Sequence, residues 1–568
     1  MRELVFGPMP AGATPVTHKA AGVWCFAEQE DDCFPGWDGP DGFILPPDPY
    51  PSAAFMRTEA LAANAEAVRL IHRLGERLDV ALGIGRTDAF WQTALGPWAI
   101  LFTHSTAERR RRVLDLIKDP EPLRVLLLPR NCPFGFADTL DFMIRGVLAP
   151  GWNYYLFSRM VEALAPPHWD ISYAPPLELT PGSPLAEPEN ITSKLRRFLR
   201  NLPFPYHKGF SLGRNLRLNI AVLRNKTAKP DREYDLNRYG AGGIAWGFDF
   251  FELAERALPR SFESEIPQRL PRLWGRLRGI TAAAGQDDRY RLRVASLVEV
   301  GASLFSVQHG ANYGNLASIG GSFWEYARHA FISWGWKTHP PFPVNAVPLP
   351  QPGLAAVYNT HKEAAPSLIL VGSEMSSRLY RLKSRPQSGE LLAYRQAKID
   401  FFRTLDEPVR NASFYRPYFR TPGGLQDGDH LRRALPDIPL CRGDLGKHVL
   451  SCRVLVLDHY GTTMHQALAA GTPLVAFWNR ASWGMTPETD AVLNELAAVG
   501  ILHPDAASAA LHINRVWDNI HDWWTTDAVQ AARKRWLAAF ALCGEGPDLA
   551  PVSPARLAGL WAETLRNL

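Results

Sequence analysis

The sequence predicts an α/β protein of two domains, each a parallel sheet wound on both faces by helices. Three observations predict it. The chain has 568 residues, more than one hydrophobic core normally serves. Short apolar runs alternate with helical patterns, the signature of strand–helix units in a parallel sheet. A proline-rich passage separates two stretches that both read as ordered. Hydrophobic residues at 46% and aromatic residues at 11% exclude a disordered chain.

The N-terminal part, residues 1–338, is expected to be an α/β domain with a helical extension. Helical patterns cover Glu59 to Leu78 and Ser261 to Leu277, and Arg124-Val-Leu-Leu-Leu128 and Ser303-Leu-Phe-Ser-Val307 read as buried strands. Prolines cluster between Pro166 and Pro188 and again in 339–366, where Pro340, Pro341, Pro343, Pro348, Pro350 and Pro352 argue for a semi-extended linker. Residues 367–568 then read as the second domain. Strands are expected at Ser367–Ser373, Ala412–Phe419, Arg453–Asp458 and Pro473–Trp478, with helices at Glu390–Thr404 and Thr463–Ala470. Two Trp-containing helices should close the domain before about Leu542.

A net charge of +5 spread over scattered arginines disfavours a nucleic-acid partner. The clusters Arg109–Arg112 and Lys194, Arg196, Arg197, Arg200 read as solvated helix faces, with an anionic membrane surface or an acidic glycan as the alternative. Cys25, Cys33, Cys132, Cys441, Cys452 and Cys543 form no C-x-x-C pair, which fits a reducing cytoplasm. With no signal-peptide pattern and no apolar stretch of about 18 to 20 residues, any membrane contact is expected to be peripheral.

Two units carry the chemistry. In the first, a strand ends in Asp458-His-Tyr-Gly-Thr-Thr463 and a helix runs to Gly471-Thr-Pro473. Gly461, Thr462 and Thr463 then stand at a helix N-terminus, where unpaired N–H groups and the helix dipole suit a phosphate. The bland alternative is that Thr462 caps its helix. In the second, Gln308-His309-Gly310 follows a strand, which places His309 as a catalytic or phosphate-contacting group. Glu325, in Phe323-Trp-Glu-Tyr-Ala-Arg-His329, is an acid or base if buried near the substrate and a solvated residue otherwise. Asp427-Gly428-Asp429 matches a metal-binding D-x-D only formally. It reads as a solvated turn, so no metal and no cofactor are expected.

Taken together, Phe90-Trp91 with Gly96-Pro97-Trp98, Gln308-His309-Gly310 with Tyr313-Gly314, and Trp334-Gly335-Trp336 resemble a family of transferases from O-antigen and other surface-carbohydrate clusters. Tyr380-Arg381-Leu382 with Ser384, Thr462-Thr463, Pro473, Phe477-Trp478, and Gly500-Ile-Leu-His503 with Trp523-Trp524 extend the likeness along the chain. The resemblance implies a GT-B-like glycosyltransferase, two Rossmann-like domains facing a cleft with C-terminal helices. It implies a nucleotide-sugar donor and a glycan or lipid-linked glycan acceptor. His309 and Glu325 would be catalytic. Gln308, Gly310, Ser373, Arg381, Asp458, Tyr460, Gly461, Thr462, Thr463 and Gln466 would bind the donor. The Gln-His-Gly turn is also similar to that of retaining 3-deoxy-manno-octulosonic acid (Kdo) transferases of lipopolysaccharide assembly, which makes a CMP-activated acidic sugar a candidate donor. Gln466 departs from the glutamate that many GT-B enzymes use to clamp the ribose. A nucleotide-sugar epimerase and a non-catalytic nucleotide-sugar-binding assembly protein remain the rival functions.

Overall fold

A computed structural model describes the chain except for residues 28–35, 40, 178–209, 224–242, 268–269, 271–279, 283–287, 303, 320–322 and 327. Lys194, Arg196, Arg197, Arg200, Cys33 and, of the 166–188 proline cluster, Pro181, Pro184 and Pro188 therefore lie outside the described residues.

The architecture is α/β, with three sheets that are parallel throughout. The first contains β1 (Arg2–Val5), β2 (His18–Ala20), β3 (Leu123–Leu127) and β4 (Asp170–Tyr173), in the order β2-β1-β3-β4. The second contains β5 (Ile280–Ala282), β6 (Leu304–Val307), β7 (Ala330–Ser333) and β8 (Ala346–Pro348) in sequential order. The third contains β9 (Ala365–Val371), β10 (Ser413–Arg416), β11 (Cys452–Leu457), β12 (Leu474–Phe477) and β13 (Leu502–His503), in the order β10-β9-β11-β12-β13. The segment expected as a helical extension thus also carries a sheet of its own. The proline-rich passage contributes β8 and a short helix at Pro352–Val357; proline is tolerated in β8 because that strand is an edge.

Burial explains why β11 is central. Val454, Leu455, Val456 and Leu457 are all fully buried, as a strand covered on both faces requires. Val454 and Val456 pack with the Leu391–Thr404 and Ala506–Val516 helices, while Leu455 and Leu457 face the Thr462–Ala470 and Asp527–Phe540 helices.

In the N-terminal part, α1 (Ala53–Leu82) and α2 (Asp88–Leu116) form a long antiparallel pair. Ser52 and Thr87 cap their N-termini by accepting from Phe55 N and Phe90 N, and Gly83 ends α1 with φ 64°. Gly75 admits the Trp91 indole, which a Cβ there would meet at 2.6 Å. The arginine cluster on α2 is not a solvated face. Arg109 and Arg112 are buried around the equally buried Glu108, and Arg109 donates to Asn153 Oδ1 at 2.8 Å and to the carbonyls of Val147 and Leu379. Burial forces the pairing, since an ion without a partner there costs several kcal/mol, on the order of its desolvation penalty. The last helix, Pro554–Asn567, returns to the second sheet. Its Leu557, Trp561 and Leu565 pack with Phe305, Ala330 and Ile332, and the Trp561 indole donates to Pro350 O at 3.0 Å.

Candidate functional site

A cleft of about 500 Å3 opens where the carboxyl ends of β9 and β11 meet the turn after β6. Ligands of open parallel sheets bind at such strand ends. Among the expected residues, His309, Gly310, Ser373, Arg381, Tyr460, Gly461, Thr462 and Thr463 line this one cleft.

The helix at Thr462–Ala470 has Gly461 as its N-cap and no side chain bonded to its first turn. Thr462 therefore does not cap its helix. Its hydroxyl accepts from Ala311 N at 3.3 Å, while Tyr460 OH donates to Ala311 O at 2.7 Å. Both bonds draw the Gln308–Gly310 turn against the helix end, and Gly310 faces Thr462 closely enough that a Cβ would stand 3.8 Å from Oγ1. Met464 N donates to Gly461 O at 3.1 Å, and ahead of it Thr462 and Thr463, whose N–H groups precede any intrahelical acceptor, stand at the cleft.

His309 is exposed to the cleft and backed by a relay. Tyr313 OH donates to Glu325 Oε2 at 2.5 Å and also contacts His309 Nε2, and Glu325 Oε1 lies 3.5 Å from that nitrogen. With the phenol proton on Glu325, Nε2–H donates to the phenol oxygen and Nδ1 keeps its lone pair. Glu325 is buried behind Tyr313 and does not line the cleft. It stands behind His309 and Tyr313, neither solvated nor in the cleft lining, which departs from both placements expected for it.

A second imidazole faces the same cleft from the third sheet. His459 Nδ1 sits 2.7 Å from Asp458 Oδ1, leaving Nε2 free, beside Gly461. Asp458 is buried, outside the cleft lining. It accepts from Ser373 N at 3.1 Å and stands 3.6 Å from Lys398 Nζ. It thus stands behind His459 and Ser373 rather than in the cleft lining where a donor contact was expected.

The segment 380–385 makes the cleft cationic. Lys383 forms an antiparallel bridge with Ile319, Ser384 N donates to Ser318 O, and His104 Nδ1 accepts from Leu382 N at 3.3 Å. These bonds fix Arg381, Lys383 and Arg385 along one wall, where the Nε–H groups of both arginines are buried without an acceptor. Tyr380 answers the charge: Lys383 first, then Arg381 and Arg385, pull its phenol down to about 6.

Two expected donor contacts fall elsewhere. Gln466 points to solvent from the Thr462–Ala470 helix, outside the cleft. Gln308 is buried, accepting from Trp334 N at 2.9 Å and Trp336 Nε1 at 2.8 Å and donating to Gly310 O, so it shapes the turn. Asp427 is not a solvated turn either, because it is buried against Lys398 at the start of the Asp427–Ala434 helix. Among the described residues no cluster of His, Cys, Asp or Glu has the grouping to hold a metal, and no helix is long and apolar enough to cross a membrane. Residue-by-residue reading missed His459, Glu374, Tyr380, Lys383 and Arg385. The alternation Arg381-x-Lys383-x-Arg385 was the available signal, since a period of two puts all three on one side of an extended segment.

The model of the LIC12162 family transferase matches residues 2–551. No curated protein matches the sequence. Among solved structures, the chain is similar to an O-GlcNAc transferase mutant from Thermobaculum terrenum at 14% identity and TM-score 0.28, over 91% of this chain and 84% of that one.

Proposed function

The chain belongs to the LIC12162 family transferases, and from that premise we propose that it is a GT-B-like glycosyltransferase moving a sugar from a nucleotide donor onto a surface-polysaccharide acceptor. One observation carries this reading: a helix N-terminus, three side-chain cations and two carboxylate-backed imidazoles converge on a single cleft. The donor phosphate rests on the Gly461–Thr463 turn beside His459. Arg381, Lys383 and Arg385 meet the charge that grows on the leaving nucleotide, the task a divalent cation performs in other transferases. His309 Nδ1 accepts the proton of the attacking acceptor hydroxyl, and Glu325 stabilises the imidazolium through Tyr313.

The surplus of cations supports an acidic donor such as a CMP-activated Kdo-type sugar. In this reading residues 367–568 hold the nucleotide and 1–338 the acceptor, joined through 339–366, and the enzyme acts in the cytoplasm on a glycan or lipid-linked glycan, without a cofactor. The test is a thermal-shift series with CMP, UDP, GDP and dTDP, followed by product analysis with the matching nucleotide sugars. The reading expects one nucleotide to raise Tm and His309→Ala to abolish transfer. Conversion of donor without acceptor would instead identify an epimerase, and no shift with any nucleotide would favour an assembly protein.

A further inference from the structure

Glu374 lies in the wall of the cleft with a side chain that no cation claims. Val371 and Leu457 are register partners at the carboxyl ends of β9 and β11. Three residues beyond them the chain reaches Glu374 on one strand and Tyr460 on the other, so the carboxyl stands in the same crevice as the Gly461–Thr463 turn. Its Oε1 accepts from Gln426 N at 3.0 Å, and Gly424 packs against it closely enough that a Cβ would fall 2.0 Å from that oxygen and 2.9 Å from Thr421 O. The residue is only 9% exposed.

The groups facing it are unbalanced. Among the described residues, Lys398 is the buried cation that acts on this carboxyl, and Asp427 already pairs with it while Asp458 stands 3.6 Å away. The remaining cation on this side, Arg420, is exposed and screened by solvent, and Tyr415 supplies only a neutral phenol. One buried positive charge thus serves two carboxylates before Glu374 is counted, and a third ionised carboxylate has no counter-charge.

Resting on the transferase reading, we propose that Glu374 is a further catalytic residue, present as the neutral acid and delivering its proton to the leaving phosphate. The bond between the anomeric carbon and the phosphate oxygen breaks, its electron pair stays on that oxygen, and the Glu374 proton moves there. The acceptor hydroxyl forms the new bond to the anomeric carbon and gives its proton to His309 Nδ1. Solvent exchange then returns a proton from His309 to Glu374, and the cycle closes without another reactant. Burial, then the Asp427 charge, raise the Glu374 carboxyl to about 7, so the acid is still populated at neutral pH.

The closing experiment uses the full chain and its Glu374→Gln variant, which can still accept from Gln426 N but has no proton to give. Two measurements are made: nucleotide release from CMP- and UDP-activated sugars across pH, and an infrared difference titration of the carboxyl without any ligand. The expected result is a turnover loss of roughly 100-fold or more. The alkaline limb of the wild-type profile should vanish in the variant, the nucleotide-induced Tm shift should persist, and a protonated carboxyl band titrating near neutrality should be present only in the wild type. Wild-type turnover matched by the variant within about three-fold, or a wild-type protein whose carboxyl bands are all lost by pH 5, overturns the assignment of Glu374 alone. Absence of turnover by the wild type with every donor overturns the transferase reading itself.

Discussion

The N–H of Ala311 donates to the hydroxyl of Thr462 across 3.3 Å, which makes the His309 turn and the N-terminus of the Thr462–Ala470 helix one hydrogen-bonded unit. Thr462→Val removes that acceptor and leaves a buried N–H unpaired, at a cost of about 1–3 kcal/mol. Urea unfolding should show this loss, and Thr462→Ser should restore most of it. Thr463→Val is expected to change stability by less than about 0.5 kcal/mol while weakening nucleotide binding.

The relay behind His309 separates chemistry from folding. His309→Ala should lower kcat about 100-fold or more with little change in Tm, because the ring is exposed. Tyr313→Phe keeps the ring packing but breaks the link to Glu325, so kcat should fall with KM for the donor nearly unchanged. Equal kcat in Tyr313→Phe and wild type across the pH profile would remove the relay from the mechanism.

Tyr380 reports on the charge beside it. Its phenol is held at about 6, chiefly by Lys383, so it is largely ionised at pH 7.5. In Lys383→Ala the phenol should move back up toward 10, its ordinary value. Ultraviolet titration against Tyr380→Phe as the blank measures that shift. The same variant should weaken binding of inorganic pyrophosphate, and the wild-type affinity should fall with added salt.

Buried histidines make the fold acid-labile. Burial holds His104 and His465 at about 3 and His339 and His512 at about 4, all below 6.5. The unfolded chain therefore binds more protons than the native one below pH 6.5, so this stability is complete above that value and is lost as pH falls through 4 and 3. Urea midpoints should drop steadily over that window. In His104→Gln the drop should be shallower.

Glu374 acts in the opposite direction. Its carboxyl is raised from 4.5 to about 7, so its contribution to stability is complete below pH 4.5 and is lost as pH rises through 7. Glu374→Gln should match wild type at pH 4.5 and exceed it at pH 8 by up to about 3 kcal/mol, read from paired unfolding curves. A constant difference between the two proteins would place the carboxyl at an ordinary value.

The third sheet was legible because its strands are buried on both faces, which leaves unbroken apolar runs such as Val454–Leu457. The Gly461–Thr463 turn was legible for a related reason, since a glycine and two hydroxyls between a strand and a helix leave few local alternatives. Long-range partners were not legible. Nothing near Arg109 in the chain announces Leu379 O or Asn153, so an interior arginine looked like a surface one. Asp427 was misread similarly, because Lys398, which buries it, lies 29 residues away. Gln466 and Gln308 were misplaced by analogy of position. Whether a polar side chain faces a cleft or the packing behind it depends on neighbours that the local sequence does not contain.

The return of the Pro554–Asn567 helix to β6 and β7 ties the two ends of the molecule together. A protease cut in the 339–366 passage would not release two separable fragments, because the C-terminal piece would remain clamped to the other by Trp561. Deleting that helix would strip Phe305 and Ile332 of their cover and leave an apolar surface on β6 and β7.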